Sequence, residues 1–270
     1  MPVRPANAFL LINPHSGDGS PSAEELVEEA SGLAIEARIL GEDDDPAELA
    51  TRADTNVLGM AGGDGSLAAV AEVAVERGLP FVCVPFGTRN HFARDLGLDR
   101  NDPVAALAAF RGTERRIDIA RVNGRVFLNN VALGLYAQLV HRRERHRRRR
   151  NAFAQLRALL LLARTRERID LSVDGKHVDA ELAVVANNDY TLELFSLGER
   201  ERLDEGRLHL YLARGWRPST WEEQACERLT LGAGRSRLHA AIDGEPTALE
   251  TPLEFSIQPR ALRVLVPPPG

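Results

Sequence analysis

Along the first hundred or so residues, short apolar runs alternate with stretches of helical periodicity, the pattern of βαβ units around a mostly parallel sheet. Phe9 to Ile12, Ala34 to Leu40, Val57 to Ala61 and Phe81 to Val84 read as strands. The helical segments between them have recognisable starts. Ser20 is the expected N-cap of the first, with Pro21 at its first position and Glu24 and Glu25 in its first turn. Asp45 and Pro46 repeat the cap-then-proline signal for a helix to about Ala53. Leu67 to about Gly78 is the next helix, and Asp102 and Pro103 open another that ends near Gly112.

Beyond Gly112 the rhythm changes. Arg115 to Val122 faces Arg125 to Leu133 across Asn123-Gly124, the strongest short hairpin signal. A second such turn, Asp174-Gly175, joins Ile169 to Val173 to the apolar run Leu182 to Ala186. Between the hairpins, Leu135 to Arg168 consists mostly of strong helix formers. The expected architecture is therefore an α/β domain over residues 1–114 and an antiparallel β-rich domain over 115–260 with an arginine-rich helix at 135–168. The final strand, 261–267, can return to the first domain.

At 270 residues the chain has the length at which one core commonly divides in two, and its 44% hydrophobic and 27% charged composition is that of a globular protein. No apolar run approaches the roughly 18 to 20 residues of a spanning helix, and the first residues lack a secretory pattern. A cytoplasmic protein is expected. Cys83 and Cys226 have neither metal-site spacing nor a disulfide context and read as packing. The net charge of −5 conceals eleven arginines against Glu144 and Glu167 between His141 and Arg168. Nucleic acid is not the expected partner of this basic block, because no aromatic interleaving accompanies it.

The segment that carries most chemistry is Gly62-Gly63-Asp64-Gly65-Ser66, which follows a strand and opens a helix. Glycines here permit positive φ and remove Cβ atoms, so backbone N–H groups can approach phosphate oxygens at the positive end of the helix dipole. Ser66 can cap the helix or bond a phosphate. Asp64, read as a surface-loop carboxylate, makes chemical sense beside an anion if it holds Mg²⁺ or accepts a proton. The single lysine, Lys176, lies in a hairpin, so this is not a lysine-bearing phosphate loop.

The Gly62 to Ser66 turn resembles the G-G-D-G-T/S loop shared by diacylglycerol, sphingosine and NAD kinases. Asn13-Pro14-His15-Ser16-Gly17 resembles the N-P-x-S-G motif of the diacylglycerol kinase catalytic-domain family, and Pro85 to Arg94 its P-x-G-T-x-N-D-x-A-R. Asp118, Asn123 to Asn130 and Gly134 are similar to its hairpin pattern, Leu203 to Leu208 to its D-D-G-x-L, and Ile242 to Glu245 to its late D-G-E. The resemblance implies a Rossmann-like nucleotide-binding domain with a β-sandwich domain, and an ATP-dependent lipid kinase that uses Mg²⁺. It places Asn13, Ser16, Gly17, Gly62, Gly63, Asp64, Gly65, Ser66, Gly87, Thr88 and Asn90 at the nucleotide. Asp243 becomes the expected general base, facing the glycine loop across the interdomain cleft, with Glu245 supporting metal or orientation and Asp64 acting on the phosphates. Asp204 and Glu205 become the expected metal pair. Without the resemblance, Asp243-Gly244 reads as a plain turn.

The chain departs from the family pattern at His91, at Glu205, at Asp18, and at Ala186 to Tyr190, where relatives often have glycines. An NAD kinase-like or other small-alcohol kinase, or a nucleotide- or lipid-binding protein without catalysis, are the rival expectations. In the basic segment, Phe153, Leu156, Leu159, Leu160 and Ala163 form one apolar stripe beside the arginines, suited either to an anionic membrane surface or to packing on the β-rich domain. If the membrane reading holds, replacing Arg147, Arg148, Arg149 and Arg150 with Gln weakens binding to anionic vesicles, at about 1 kcal/mol per charge. Vesicle sedimentation of parent and variant across a salt series checks this; salt-independent or absent binding in the parent marks a solvated helix face.

Overall fold

The structure, a computed structural model, describes residues 7–16, 21–87, 90–134, 169–193, 196–197, 199–214 and 221–268. The arginine-rich segment 135–168 lies outside the described residues, as do Gly17, Asp18, Ser20 and Thr88.

In chain order the first elements are β1 (Ala8–Ile12), α1 (Ala23–Gly32), β2 (Ile35–Ile39), α2 (Pro46–Arg52), β3 (Val57–Gly62), α3 (Asp64–Arg77), β4 (Phe81–Pro85), α4 (His91–Asp95), α5 (Pro103–Ala106), a 3-10 turn (Leu107–Arg111) and β5 (Thr113–Val122). There follow β6 (Arg125–Phe127), β7 (Asn130–Gly134), β8 (Ile169–Val173), β9 (Lys176–Ala180), β10 (Leu182–Asn187), β11 (Leu192–Glu193), β12 (Ser196–Leu197), β13 (Leu208–Ala213), β14 (Trp221–Cys226), β15 (Arg228–Ala233), β16 (Arg237–Ile242), β17 (Glu245–Glu250) and β18 (Leu253–Val266). The chain forms two compact units. Residues 1–119, 199–205 and 258–270 make the first, and 120–198 with 206–257 the second. The division by sequence alone had left 199–205 with the β-rich part. β5 and β18 each begin in one unit and end in the other.

In the first unit β2, β1, β3 and β4 run parallel in that order, and Val264 of β18 pairs in parallel with Phe81 of β4. β3 and β4 are buried at every residue, as central parallel strands covered on both faces must be. Leu10, Ile12, Val82 and Val84 pack with Leu26 of α1 and with Phe110, while Leu67, Val70 and Ala74 of α3 are buried as well.

Helix starts follow local chemistry. Asp45 accepts from the N–H groups of Ala47 and Glu48, and Asp102 from that of Ala105, as their cap-then-proline signals predict. The first helix departs from expectation: its N-cap is Ser22, not Ser20. Ser22 Oγ accepts from Glu25 N–H while the Glu25 carboxylate accepts from Ser22 N–H, a reciprocal capping box that leaves Pro21 outside the helix. α3 likewise begins at Asp64, three residues before the expected Leu67, because β3 passes into the helix through Gly63 alone.

The second unit is an antiparallel sandwich. One layer holds β15 between β18 and β8, with β9 beyond β8, and the β5–β6 hairpin; the other is ordered β14-β13-β10-β7-β16-β17. Phe127, Val131, Leu133, Val185, Leu208, Leu210, Leu231 and Phe255 are among the residues that fill the space between them. Asn123-Gly124 and Asp174-Gly175 make their hairpins with both residues at positive φ. The second hairpin does not join Val173 to the apolar run, however. Its returning strand is β9, in register from Lys176 to Ala180, and Leu182 to Asn187 is a separate strand between β7 and β13. The fully apolar run belongs to a central strand; the polar β9 belongs to an edge.

Gly112 seals the end of the first unit, since a Cβ there would overlap the carbonyl oxygen of Val266. Backbone cannot swing aside as a flexible side chain can. Gly112→Ala is expected to destabilise the chain by about 1 to 3 kcal/mol, read as a lowered Tm in thermal unfolding; an unchanged Tm shows that β18 does not lie against this turn.

Candidate phosphate-binding and catalytic sites

Three loops leave the carboxyl ends of neighbouring parallel strands in the first unit, the edge at which open α/β sheets take ligands. After β1, Asn13 donates its N–H to Ala61 O (2.9 Å), and its side-chain oxygen accepts from His15 N–H (3.0 Å). Ser16 N–H closes the turn on Asn13 O (3.3 Å). After β3, Gly63 is the N-cap of α3 with φ −82° and ψ 170°, so Asp64, Gly65 and Ser66 form the first turn of a 14-residue helix. Helix geometry leaves their N–H groups without an i−4 carbonyl, and that of Ser66 donates instead to Gly63 O at 3.0 Å. This is the arrangement that receives phosphate oxygens.

Of the two expected uses of the glycines, positive φ is absent and the missing Cβ is present. Positive φ occurs at several described glycines but not at Gly62, Gly63 or Gly65. Absence of Cβ is what matters. A Cβ on Gly62 would overlap Ser66 Oγ, and one on Gly87 would lie 2.6 Å from Gly63 Cα. The glycine turn and the loop after β4 therefore touch backbone to backbone, and Phe86 N–H donates to Gly62 O at 3.2 Å. Ser66 does not cap α3: its hydroxyl donates back to Gly63 O at 2.9 Å.

Asp64 is not a surface-loop carboxylate. It is 8% exposed, and its two oxygens accept from His91 N–H (3.1 Å) and Phe92 N–H (3.0 Å). These are the opening donors of α4, whose own N-cap, Asn90, makes no capping bond and sits at φ 48°. Asn90 is buried; its amide donates to Gly87 O and, beyond α4, to Arg100 O, and accepts from Gly87 N–H. Burial pushes the Cys83 thiol well above its ordinary value, and the nearby Asp64 charge adds to the shift.

Sequence reasoning overlooked the far end of α4. Arg200 donates to Asp95 at 2.7 Å with both side chains fully buried, and Arg94 grips the other Asp95 oxygen at 2.9 Å. Nothing in the motif strings marks Arg200 as a partner. Asp204, the expected metal ligand, carries Arg202 and Arg260 on its two oxygens at 3.2 and 3.3 Å.

In the second unit, Asp243 opens the turn between β16 and β17 at φ 49°, so the plain-turn reading is correct as far as it goes. The carboxylate, however, is turned inward and 8% exposed. It accepts from Leu128 N–H (2.8 Å), Asn129 N–H (2.8 Å) and Asn130 N–H (3.1 Å). Asn187 Nδ2 donates to Leu128 O in the same loop. Glu245, two residues on, is exposed at the start of β17. Asn129 stood in the motif without an assigned role; its N–H supplies one.

These features define a class: an α/β unit with a glycine turn at the start of a helix, in a chain that continues into an antiparallel sandwich. Residues 7–122 match the model of the diacylglycerol kinase catalytic domain, so the resemblance read from the motifs is shown. A probable lipid kinase YegS-like protein of Pseudomonas aeruginosa is 36% identical over 132 residues, 47% of this chain and 43% of that protein. A diacylglycerol kinase of Bacillus subtilis is 34% identical over 98 residues, 35% of this chain and 32% of its own. The matched region thus spans less than half the length of these relatives. In fold, a putative diacylglycerol kinase from Bacillus anthracis superposes with a TM-score of 0.72 over 98% of both chains at 18% identity.

Asp64→Asn keeps one acceptor but turns an amide toward the other N–H of α4, and is expected to cost about 1 to 3 kcal/mol. Thermal unfolding of parent and variant measures it. An unaltered Tm shows that the carboxylate does not hold α4.

Proposed function

We propose that the chain is an ATP-dependent lipid kinase that transfers the γ-phosphate of Mg²⁺-ATP to a hydroxyl of a diacylglycerol-like lipid. The observation that supports it most is the backbone cradle at the start of α3. Gly63 and Gly87 pack Cα against backbone with no intervening side chain, so phosphate oxygens can approach the N–H groups of Asp64 and Gly65, while that of Ser66 already donates to Gly63 O. Asn13, Ser16, Gly17 and Thr88 extend the proposed nucleotide site.

Magnesium reaches such sites on the nucleotide, keeping several waters and few protein ligands. Asp64 fits that requirement: each carboxylate oxygen spends one lone pair on an N–H and retains capacity for one more donor. It would hold Mg²⁺ through water, and the ion would neutralise charge developing on the phosphates. Asp204 fits a metal poorly, because two guanidinium groups already supply the positive charge that a cation would bring. No role for Glu205 as a ligand is proposed.

The roles expected of the Asp243-Gly244-Glu245 pair exchange. Asp243 spends its oxygens on three N–H donors and positions the 128–130 loop. Glu245 is the accessible carboxylate and the candidate to take the hydroxyl proton as it attacks phosphorus. With a panel of lipids that carry a free hydroxyl, ADP release should require both lipid and Mg²⁺. Glu245→Gln should lower kcat by about 10²-fold or more with ATP binding and Tm retained, the span expected of a lost proton acceptor. Asp243→Asn should instead lower Tm. ADP release only with soluble alcohols points to a small-alcohol kinase, and none with any acceptor sinks the kinase reading.

A further inference from the structure

The outer face of the sandwich layer that contains β10, β13 and β14 gathers three groups with metal-ligand chemistry. On β13, Leu208, Leu210 and Leu212 point into the sandwich core, so the alternate residues His209 and Tyr211 lie on the opposite face. The register pairs Tyr211 with Glu223 and His209 with Ala225, which makes His209 and Glu223 diagonal neighbours on that face. Asp189 enters from the end of β10. His209 Nδ1 stands 2.8 Å from Glu223 Oε1 and 3.7 Å from Asp189 Oδ1, and the three candidate ligand atoms lie within 4.8 Å of one another. Ligands bound tetrahedrally at about 2.0 to 2.2 Å stand about 3.3 to 3.6 Å apart, so modest side-chain rotations suffice.

The surroundings also suit a metal. Tyr211 donates its hydroxyl to Asp189 Oδ1 at 2.6 Å and accepts from Tyr190 N–H at 2.9 Å, which orients the carboxylate. Outer hydrogen bonds of this kind orient ligands in known metal sites. The His209 side chain is 10% exposed whereas those of Asp189 and Glu223 are 52% and 44%, a buried imidazole with an open path on the carboxylate side.

We propose that Asp189, His209 and Glu223 form a binding site for a divalent transition cation of the zinc class, with water completing its coordination. An imidazole with two carboxylates selects zinc, cobalt or nickel over magnesium and calcium, which prefer all-oxygen sets. Binding replaces the His209–Glu223 hydrogen bond and ties together three segments, the end of β10, β13 and β14. The site is independent of the kinase reading, because none of its residues has been placed at the nucleotide or the proton transfer.

The test uses the full chain, stripped with chelator and titrated with Zn²⁺, Co²⁺ and Mg²⁺ by calorimetry, with visible absorption of the Co²⁺ form. One equivalent of Zn²⁺ and Co²⁺ is expected to bind with clear preference over Mg²⁺. His209→Gln and Glu223→Gln should each weaken binding at least tenfold, and Tyr211→Phe about tenfold through loss of the outer hydrogen bond. Glu223 is half exposed on an edge strand, so its variant keeps the fold, verified by an unchanged Tm of the stripped protein. No stoichiometric Zn²⁺ or Co²⁺ binding, or binding that Glu223→Gln leaves untouched, overturns the proposal and leaves a hydrogen-bonded triad without an ion.

Discussion

The carboxylate of Asp64 is the point on which the first unit's loops depend. It begins one helix and caps the next, with an N–H from His91 on one oxygen and from Phe92 on the other. A charge buried to this degree is tolerated only when such donors replace water. The consequence is that the turn after β3 and the loop after β4 are not separate pieces of chain. Gly87 lies against Gly63, Phe86 N–H bonds Gly62 O, and Asn90 bonds Gly87, so the two are joined backbone to backbone.

The same device recurs wherever a motif acid is buried. Asp118, 1% exposed, accepts from the N–H of Arg260, which itself sits at φ 53° inside β18. Asp243 gathers the N–H groups of Leu128, Asn129 and Asn130. Acids that stand in motif strings and suggest chemistry thus organise backbone first. In each case the carboxylate reaches donors far along the chain, and a string of letters carries no trace of that reach.

Legibility followed the range of the interactions. Strands, the Asp45 and Asp102 caps and the two hairpin turns depend on neighbours within a few residues and were readable. So was the carboxyl-edge position of the three loops, because strand-turn-helix order dictates it. Ser22 displaced Ser20 as a cap through a reciprocal bond with Glu25, a local signal that the proline at 21 masked. The Asp95–Arg200 pair, separated by more than a hundred residues, was invisible because it depends on tertiary packing. Asp64 was misplaced at the surface for the same reason: its donors belong to a helix that the sequence does not show lying beside it.

The parallel sheet does not end with the residues that match the family model. β4 is flanked on one side by β3 and on the other by the last part of β18, which arrives from the far end of the chain. A fragment that stops at Val122 would lack that strand and present a fully apolar β4 as a bare edge, with unpaired N–H and C=O groups open to another chain. Exposed edges of this kind invite aggregation. The catalytic-domain match is thus a unit of sequence similarity, not a unit of folding, and the smallest piece that can be cut out and remain soluble includes residues 258–266.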